Sequence, residues 1–203
     1  LFASIKRPDA IKKVYSLKKR SEEMPLTMIV PRENFSQYAK IPARVEKLLM
    51  DDLKGPISII LPKKEGRVPD YVTSGLKTVS LADGENAFMK RIMEKIEICG
   101  TSANISGMPP PSTLPGALKQ LGEDLALAVD GGPSMYRIGH TVIDLSKDPP
   151  VLIRSGPYNN KKLIELFPEL IGEEEGMPDE LVKGHSIIDI SPEVDIRASS
   201  KGD

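Results

Sequence analysis

The run Ile57-Ser58-Ile59-Ile60-Leu61 lies between Pro56 and Pro62, and it constrains the fold more than any other stretch. Five mostly β-branched or aliphatic residues between two prolines are too short for an ordinary helix and read as a buried strand. Less clear-cut runs follow the same logic at 26–30, stopped by Pro31, at 76–81, and at 125–129 before Asp130-Gly131-Gly132. The segments 141–145 and 151–154 read as a last strand pair. Helical spacing separates them. Ile11, Val14, Tyr15 and Leu17 follow Pro8-Asp9, and Val45, Leu48 and Leu49 mark a helix over 43–51. Further helices are expected at 86–95, at 114–121 closed by Gly122, and at 161–167. Strands alternating with helices predict an α/β fold built on a twisted, mixed parallel and antiparallel open sheet. With 203 residues there is room for one sizeable domain. We place it at 1–160, with a C-terminal helix, an acidic linker and a tail over 161–203.

Lys+Arg total 28 and Asp+Glu 29, so net charge gives no sign of a polyanion ligand. Distribution says more. Lys6, Arg7, Lys12, Lys13, Lys18, Lys19 and Arg20 crowd the first 20 residues against Asp9 alone, whereas 165–180 is purely acidic. The single cysteine, Cys99, excludes an internal disulfide framework, sits in an apolar run as a core residue would, and fits a reducing cytoplasm. No run reaches the ~20 apolar residues that span a bilayer, so no membrane partner is expected. The segments 139–144 and 184–189 resemble each other, as do 151–154 and 194–197; two copies do not make a solenoid, and two similar β-hairpins account for them.

Chemistry concentrates in Cys99-Gly100-Thr101-Ser102-Ala103-Asn104-Ile105-Ser106-Gly107, where hydroxyls and a carboxamide follow an apolar stretch. This is either a polar turn or a ligand loop at a sheet end. Lys18-Lys19-Arg20 closes the first helix, where cations are favoured by the helix dipole in any case. Lys18 and Arg20 cannot share a helix face two residues apart. If both act on one ligand, the chain leaves the helix near Lys18 and Lys19 points to solvent.

Three segments together resemble the YrdC family of threonylcarbamoyl-AMP synthases. Lys18-Lys19-Arg20 with Pro25-Leu26 is similar to the family's K-x-R and downstream Pro-Leu. Thr101-Ser102-Ala103-Asn104-Ile105-Ser106-Gly107 matches its TSANxSG signature without a gap. His140-Thr141-Val142-Ile143-Asp144 with Ile153-Arg154-Ser155-Gly156 is similar to its STVVD strand and closing I-x-R-x-G. Order and spacing agree over about residues 1–160. The resemblance implies a YrdC-like nucleotide-binding fold with a concave basic cavity, and an ATP-dependent nucleotidyltransferase that joins L-threonine, bicarbonate and ATP into threonylcarbamoyl-AMP with release of pyrophosphate. Mg²⁺ is expected with the ATP, and the product would pass to the tRNA threonylcarbamoyl transferase machinery for t6A modification. It further implies Lys18 and Arg20 as catalytic cations on the triphosphate, and Lys18, Arg20, Ser102, Asn104 and Arg154 as the ATP contacts. Thr101, His140 and Thr141 are implied on the threonine side.

Three departures stand out. The family's first strand, P-T-x-T-x-Y-G-L, would precede this sequence, with Leu1 as its final Leu. The stretch Ser80-Leu81-Ala82-Asp83 stands for the family's R-x-P-D at a strand end, so Ser80 replaces an Arg and weaker threonine binding is expected. His140 stands where that strand usually begins with Ser. Two other readings remain open at this point. One is a tRNA- or double-stranded-RNA-binding module using the basic N-terminal face, though 4% aromatics leaves little for stacking on bases. The other is a degenerate nucleotide-binding regulator of the same fold.

Overall fold

A computed structural model describes residues 1–172 except 85 and 137. The strands are β1 (Phe2–Ser4), β2 (Thr27–Ile29), β3 (Ile57–Pro62), β4 (Thr78–Ala82), β5 (Ile98–Gly100), β6 (Thr141–Asp144), β7 (Val151–Arg154) and β8 (Ile171–Gly172). The helices are α1 (Pro8–Lys18), α2 (Phe35–Tyr38), α3 (Ala43–Asp51), α4 (Asp70–Thr73), α5 (Ala87–Met93), α6 (Leu114–Leu121) and α7 (Asn160–Leu166). The strands form one sheet in the order β1-β5-β2-β4-β3-β6-β7-β8. Pairs β2–β4, β3–β6 and β7–β8 are parallel and the other four antiparallel, which is the mixed open sheet the alternation called for.

One face of this sheet is the core. Met28, Ile57, Ile59, Leu61, Val79, Leu81, Cys99 and Ile143 point into it and are essentially fully buried. They pack with Ile11, Val14 and Tyr15 of α1, Phe35 and Tyr38 of α2, Val45 and Leu49 of α3, and Leu163 of α7. Leu163 and Phe167 in this core, with β8 on the sheet, carry the folded unit beyond residue 160. Buried Cys99 has its thiol pushed up to about 12 by desolvation, so it is an inert core residue.

The register defines the other face. One line across it runs Phe2, Gly100, Thr27, Ser80, Ile60, Asp144; the next runs Ser4, Ile98, Ile29, Ala82, Ser58, Val142, Arg154. Side chains alternate between faces. The middle strand of the sheet therefore sends Ile57, Ile59 and Leu61 into the core and Ser58 to the opposite side.

The stretch 125–129 is not a strand. Leu127 is 76% and Val129 51% exposed, and none of the sheet's pairings uses them. Apolar alternation makes a strand only where a neighbour completes its hydrogen-bond ladder. Strands β1 and β8, of three and two residues, carry too little pattern to be read in sequence. The acidic linker at 173–180 and the second copies at 184–189 and 194–197 lie outside the described residues.

Truncation of Leu81, at 0% exposure, leaves a cavity that the surrounding strands cannot close. Leu81→Ala should cost about 2–5 kcal/mol of stability. Ile164→Ala, on the exposed side of α7 at 57% exposure, should stay within about 0.5 kcal/mol. Urea denaturation midpoints of the two variants check the pair.

Candidate functional site

The first helix ends where the two cations require it to. Lys19 adopts a left-handed conformation (φ 49°, ψ 43°), with its N–H on Ser16 O and the Arg20 N–H on Tyr15 O at 3.0 Å each. Lys18 therefore turns inward, Lys19 lies exposed, and Arg20 reaches the backbone of Met24 and Pro25 just before β2.

Lys18 is 1% exposed. Its ammonium donates to Ser102 O at 2.6 Å, Asn104 O at 2.7 Å and Asn104 Oδ1 at 3.3 Å, filling all three donors. Its own carbonyl accepts from Ser106 N at 2.8 Å. The Asn104 carboxamide donates to Ile105 O (2.9 Å) and Met108 O (2.7 Å), so it folds the loop onto itself. From the far side Gln120 of α6 accepts from Ile105 N and donates to Pro109 O. Gly107, at φ +82°, supplies the left-handed turn that ends the signature. The loop is thus wound around Lys18 rather than presented freely. Burial first, then the charge of Arg20, lower the Lys18 pKa to about 8.

Arg20 is half-buried; its Nη2 donates to Pro25 O at 3.1 Å and its Nε to Met24 O at 3.4 Å. Arg154, at the end of β7, donates through Nε (3.0 Å) and Nη2 (2.7 Å) to the carbonyl of His140. Desolvation, and then the charge of Arg20, lower the pKa of Arg154. The charge of Arg20 thus acts on both Lys18 and Arg154, and among the described residues none of the three is ion-paired with a carboxylate. Like charges gathered without counter-charges make an anion site. Gly156 has a structural reason to be glycine here: a Cβ would meet Thr141 N, and would come within 2.7 Å of Gly139 O and of the His140 carbonyl carbon. That close approach holds the end of β7 against the start of β6.

The remaining expected residues divide. Ser102 is exposed beside the Lys18 cage. Thr101 is tied through its backbone to Leu1 in both directions, at 2.9 and 3.0 Å. His140 Nδ1 lies 3.3 Å from Ser58 Oγ on the open face. Thr141, expected on the threonine side, is 0% exposed and its Oγ1 accepts from Tyr158 N at 3.0 Å; on β6 its side chain points into the core. Asn104, expected on the nucleotide, is 6% exposed with its carboxamide used inside the loop. The stretch Ser80-Leu81-Ala82-Asp83 runs off the end of β4 as expected, and Ser80 itself sits in mid-strand with its Oγ 3.0 Å from Thr27 Oγ1. The Thr27–Ser80 hydroxyl pair, with Ser58 on the next register line of the same face, was missed in sequence, since it exists only once the strands are paired.

A cavity of about 430 Å³ opens beside the signature loop, lined by Ile105, Met108, Pro111, Gly116, Lys119 and Gln120. It is a different place from the face carrying Arg20 and Arg154. Among the described residues there is no group of three or more His, Cys, Asp or Glu that could hold a metal ion. No helix among the described residues is long and apolar enough to cross a membrane.

Comparison with known proteins settles the family. The Sua5/YciO/YrdC family model, described as "Telomere recombination", matches residues 1–156. The chain belongs to this family. It is 34% identical over 169 residues to threonylcarbamoyl-AMP synthase of Pyrococcus abyssi, covering 81% of this chain and 48% of that protein. It is 31% identical over 186 residues to threonylcarbamoyl-AMP synthase of Bacillus subtilis, covering 89% and 53%. The chain thus spans about half the length of these curated relatives. Among solved structures it superimposes on P. abyssi Sua5 complexed with L-threonine with a TM-score of 0.78 at 29% identity, covering 92% of this chain and 54% of that one. It shares its fold with E. coli YciO, at TM-score 0.69 and 20% identity.

The Lys18 cage has a pH signature. Its folded pKa, about 8, lies below the ordinary lysine value of 10.5. Between these two pH values the unfolded chain holds the extra proton, so this residue's contribution to stability rises with pH through that window. The stability difference between wild type and Lys18→Met should therefore shift towards wild type from pH 7.5 to pH 10 in denaturant titrations. A flat difference would contradict the lowered pKa of Lys18.

Proposed function

We propose that this chain is the catalytic domain of an L-threonylcarbamoyladenylate synthase, a nucleotidyltransferase acting on L-threonine, bicarbonate and ATP. The observation that carries the reading is Lys18 bonded into the signature loop, with Arg20 close enough in charge to act on both Lys18 and Arg154 and no carboxylate paired with any of the three among the described residues. It stands beside the family membership and the named relatives. Threonine and bicarbonate give a carbamate with loss of water. A carbamate oxygen then attacks the α-phosphorus of ATP, the new P–O bond forms, and pyrophosphate leaves with the bonding electrons.

Each residue has a part. Arg20 and Arg154 offer planar forks for phosphate oxygens and stabilise the charge that grows on the leaving pyrophosphate. Lys18 adds fixed charge from below and keeps the 101–107 loop in shape, and Asn104 completes that loop. Exposed Ser102 is placed to contact the nucleotide. Thr101 and His140 lie toward the amino acid, and Thr141 anchors the strand that presents His140. Mg²⁺ would come with the triphosphate and neutralise its oxygens, which fits the lack of a carboxylate cage among the described residues. The adenylate would then pass to a tRNA threonylcarbamoyl transferase. A cytoplasmic location fits the single, inert, buried cysteine.

The RNA-binding alternative loses ground on charge pairing. Lys6 meets Glu97 at 3.6 Å, Arg7 meets Asp9 at 2.6 Å, Lys13 meets Asp124 at 2.6 Å, and Lys18 is buried. Much of the basic patch read in sequence is thus neutralised or hidden.

The two neighbouring cations make a controlled test. Arg20→Ala should fold normally and lower pyrophosphate release by roughly 10- to 100-fold, the loss expected for charged hydrogen bonds to phosphate. Exposed Lys19→Ala should leave turnover nearly unchanged. Equal activities in the two folded variants would remove the cluster from the reaction.

A further inference from the structure

We infer that the Thr27–Ser80 hydroxyl pair reads the side-chain hydroxyl of the amino-acid substrate and sets a preference for threonine over its isostere valine. The inference rests on the synthase reading above and names a determinant within that site.

The two hydroxyls lie 3.0 Å apart across the parallel pair β2–β4, and both residues are half-buried. They sit on the face opposite the apolar core. Thr is β-branched and at home in a strand, whereas Ser is not, so Ser80 is the member of the pair that needs a polar reason to be there. Their surroundings point to a ligand. On the same register line, next to Thr27, is Gly100, whose missing side chain makes room for the ring of Phe2 and which leads directly into the signature loop. On the other flank of Thr27, two residues back, Pro25 O holds the guanidinium of Arg20. The pair therefore forms the floor between the signature loop and the cation cluster.

The chemistry suits a hydroxyl ligand. Two hydroxyls carry two protons, and the bond between them uses one. The other proton and the spare lone pairs are left for a third partner on the open face. Threonine can be that partner. Valine has the same shape, but would strip water from the pair and offer nothing in return. A site that hydrogen-bonds a substrate hydroxyl rejects the analogue lacking it far more strongly than an apolar pocket rejects a missing methylene. The competing role is a purely structural link between β2 and β4.

The test compares wild type with the shape-preserving double variant Thr27→Val/Ser80→Ala, using the full-length protein. Adenylate formation is measured by mass spectrometry against L-threonine and L-valine concentration, at saturating ATP and bicarbonate. Wild type should prefer threonine by about 100-fold or more in kcat/KM. In the double variant that ratio should fall at least about 10-fold, chiefly through a higher KM for threonine, while the Kd for ATP holds. Thr27→Ser, which keeps both hydroxyls, should retain the preference. An unchanged ratio in the double variant, or equal losses for both amino acids with a lowered Tm, would overturn the inference and leave the synthase reading standing. Failure of wild type to form an adenylate with any amino acid would overturn the synthase reading and this inference with it.

Discussion

The ammonium of Lys18 is the point on which the site depends. A lysine at 1% exposure is costly, because its charge loses water, and here three carbonyl-type oxygens replace that water. They all belong to Ser102 and Asn104, more than eighty residues away in sequence. The end of α1 and the loop after β5 are thereby locked into one unit. The left-handed turn at Lys19 makes the lock possible, since it aims consecutive side chains in different directions. Burial of this charge and repulsion from Arg20 act together, which is why its proton is held less tightly than on an ordinary lysine.

The second constraint is the asymmetry of the sheet. One face is sealed by α1, α2, α3 and α7 over a continuous apolar core. The other carries Thr27, Ser80 and Ser58 in its centre and Arg154 on β7. A half-open face of hydroxyls, with cations at its margin, offers hydrogen bonds to a small polar substrate and charge to phosphates at once. Gly156 keeps the margin in place by letting the backbone at its own position touch that of Thr141.

Much of this was legible in sequence, for identifiable reasons. Proline-bounded and helix-spaced runs are local, so α3, α6 and β7 agree with the pattern to the residue. The signature loop stood out by its polar composition, and it and the K-x-R pair gained a role only through resemblance to the family's motifs. What failed was whatever depends on a partner. The segment 125–129 alternates like a strand yet pairs with nothing in the sheet, and Leu127 lies in solvent. Thr141 and Asn104 were recognisable as signature residues. Only the three-dimensional structure shows that one faces the core and the other closes its own loop. Thr27 drew no attention at all, because its significance lies in Ser80, fifty-three residues on and one strand across.

The central claim is that the cation cluster and the signature loop together join a carbamate to the α-phosphate of ATP. The most direct measurement supplies ¹³C-labelled bicarbonate, L-threonine, ATP and Mg²⁺ to the full-length protein and follows the nucleotide products by mass spectrometry. The account predicts an adenylate carrying the heavy carbon, formed with an equal amount of pyrophosphate and dependent on all three substrates. Pyrophosphate release without the labelled adenylate, or no nucleotide turnover by a folded protein, would contradict it.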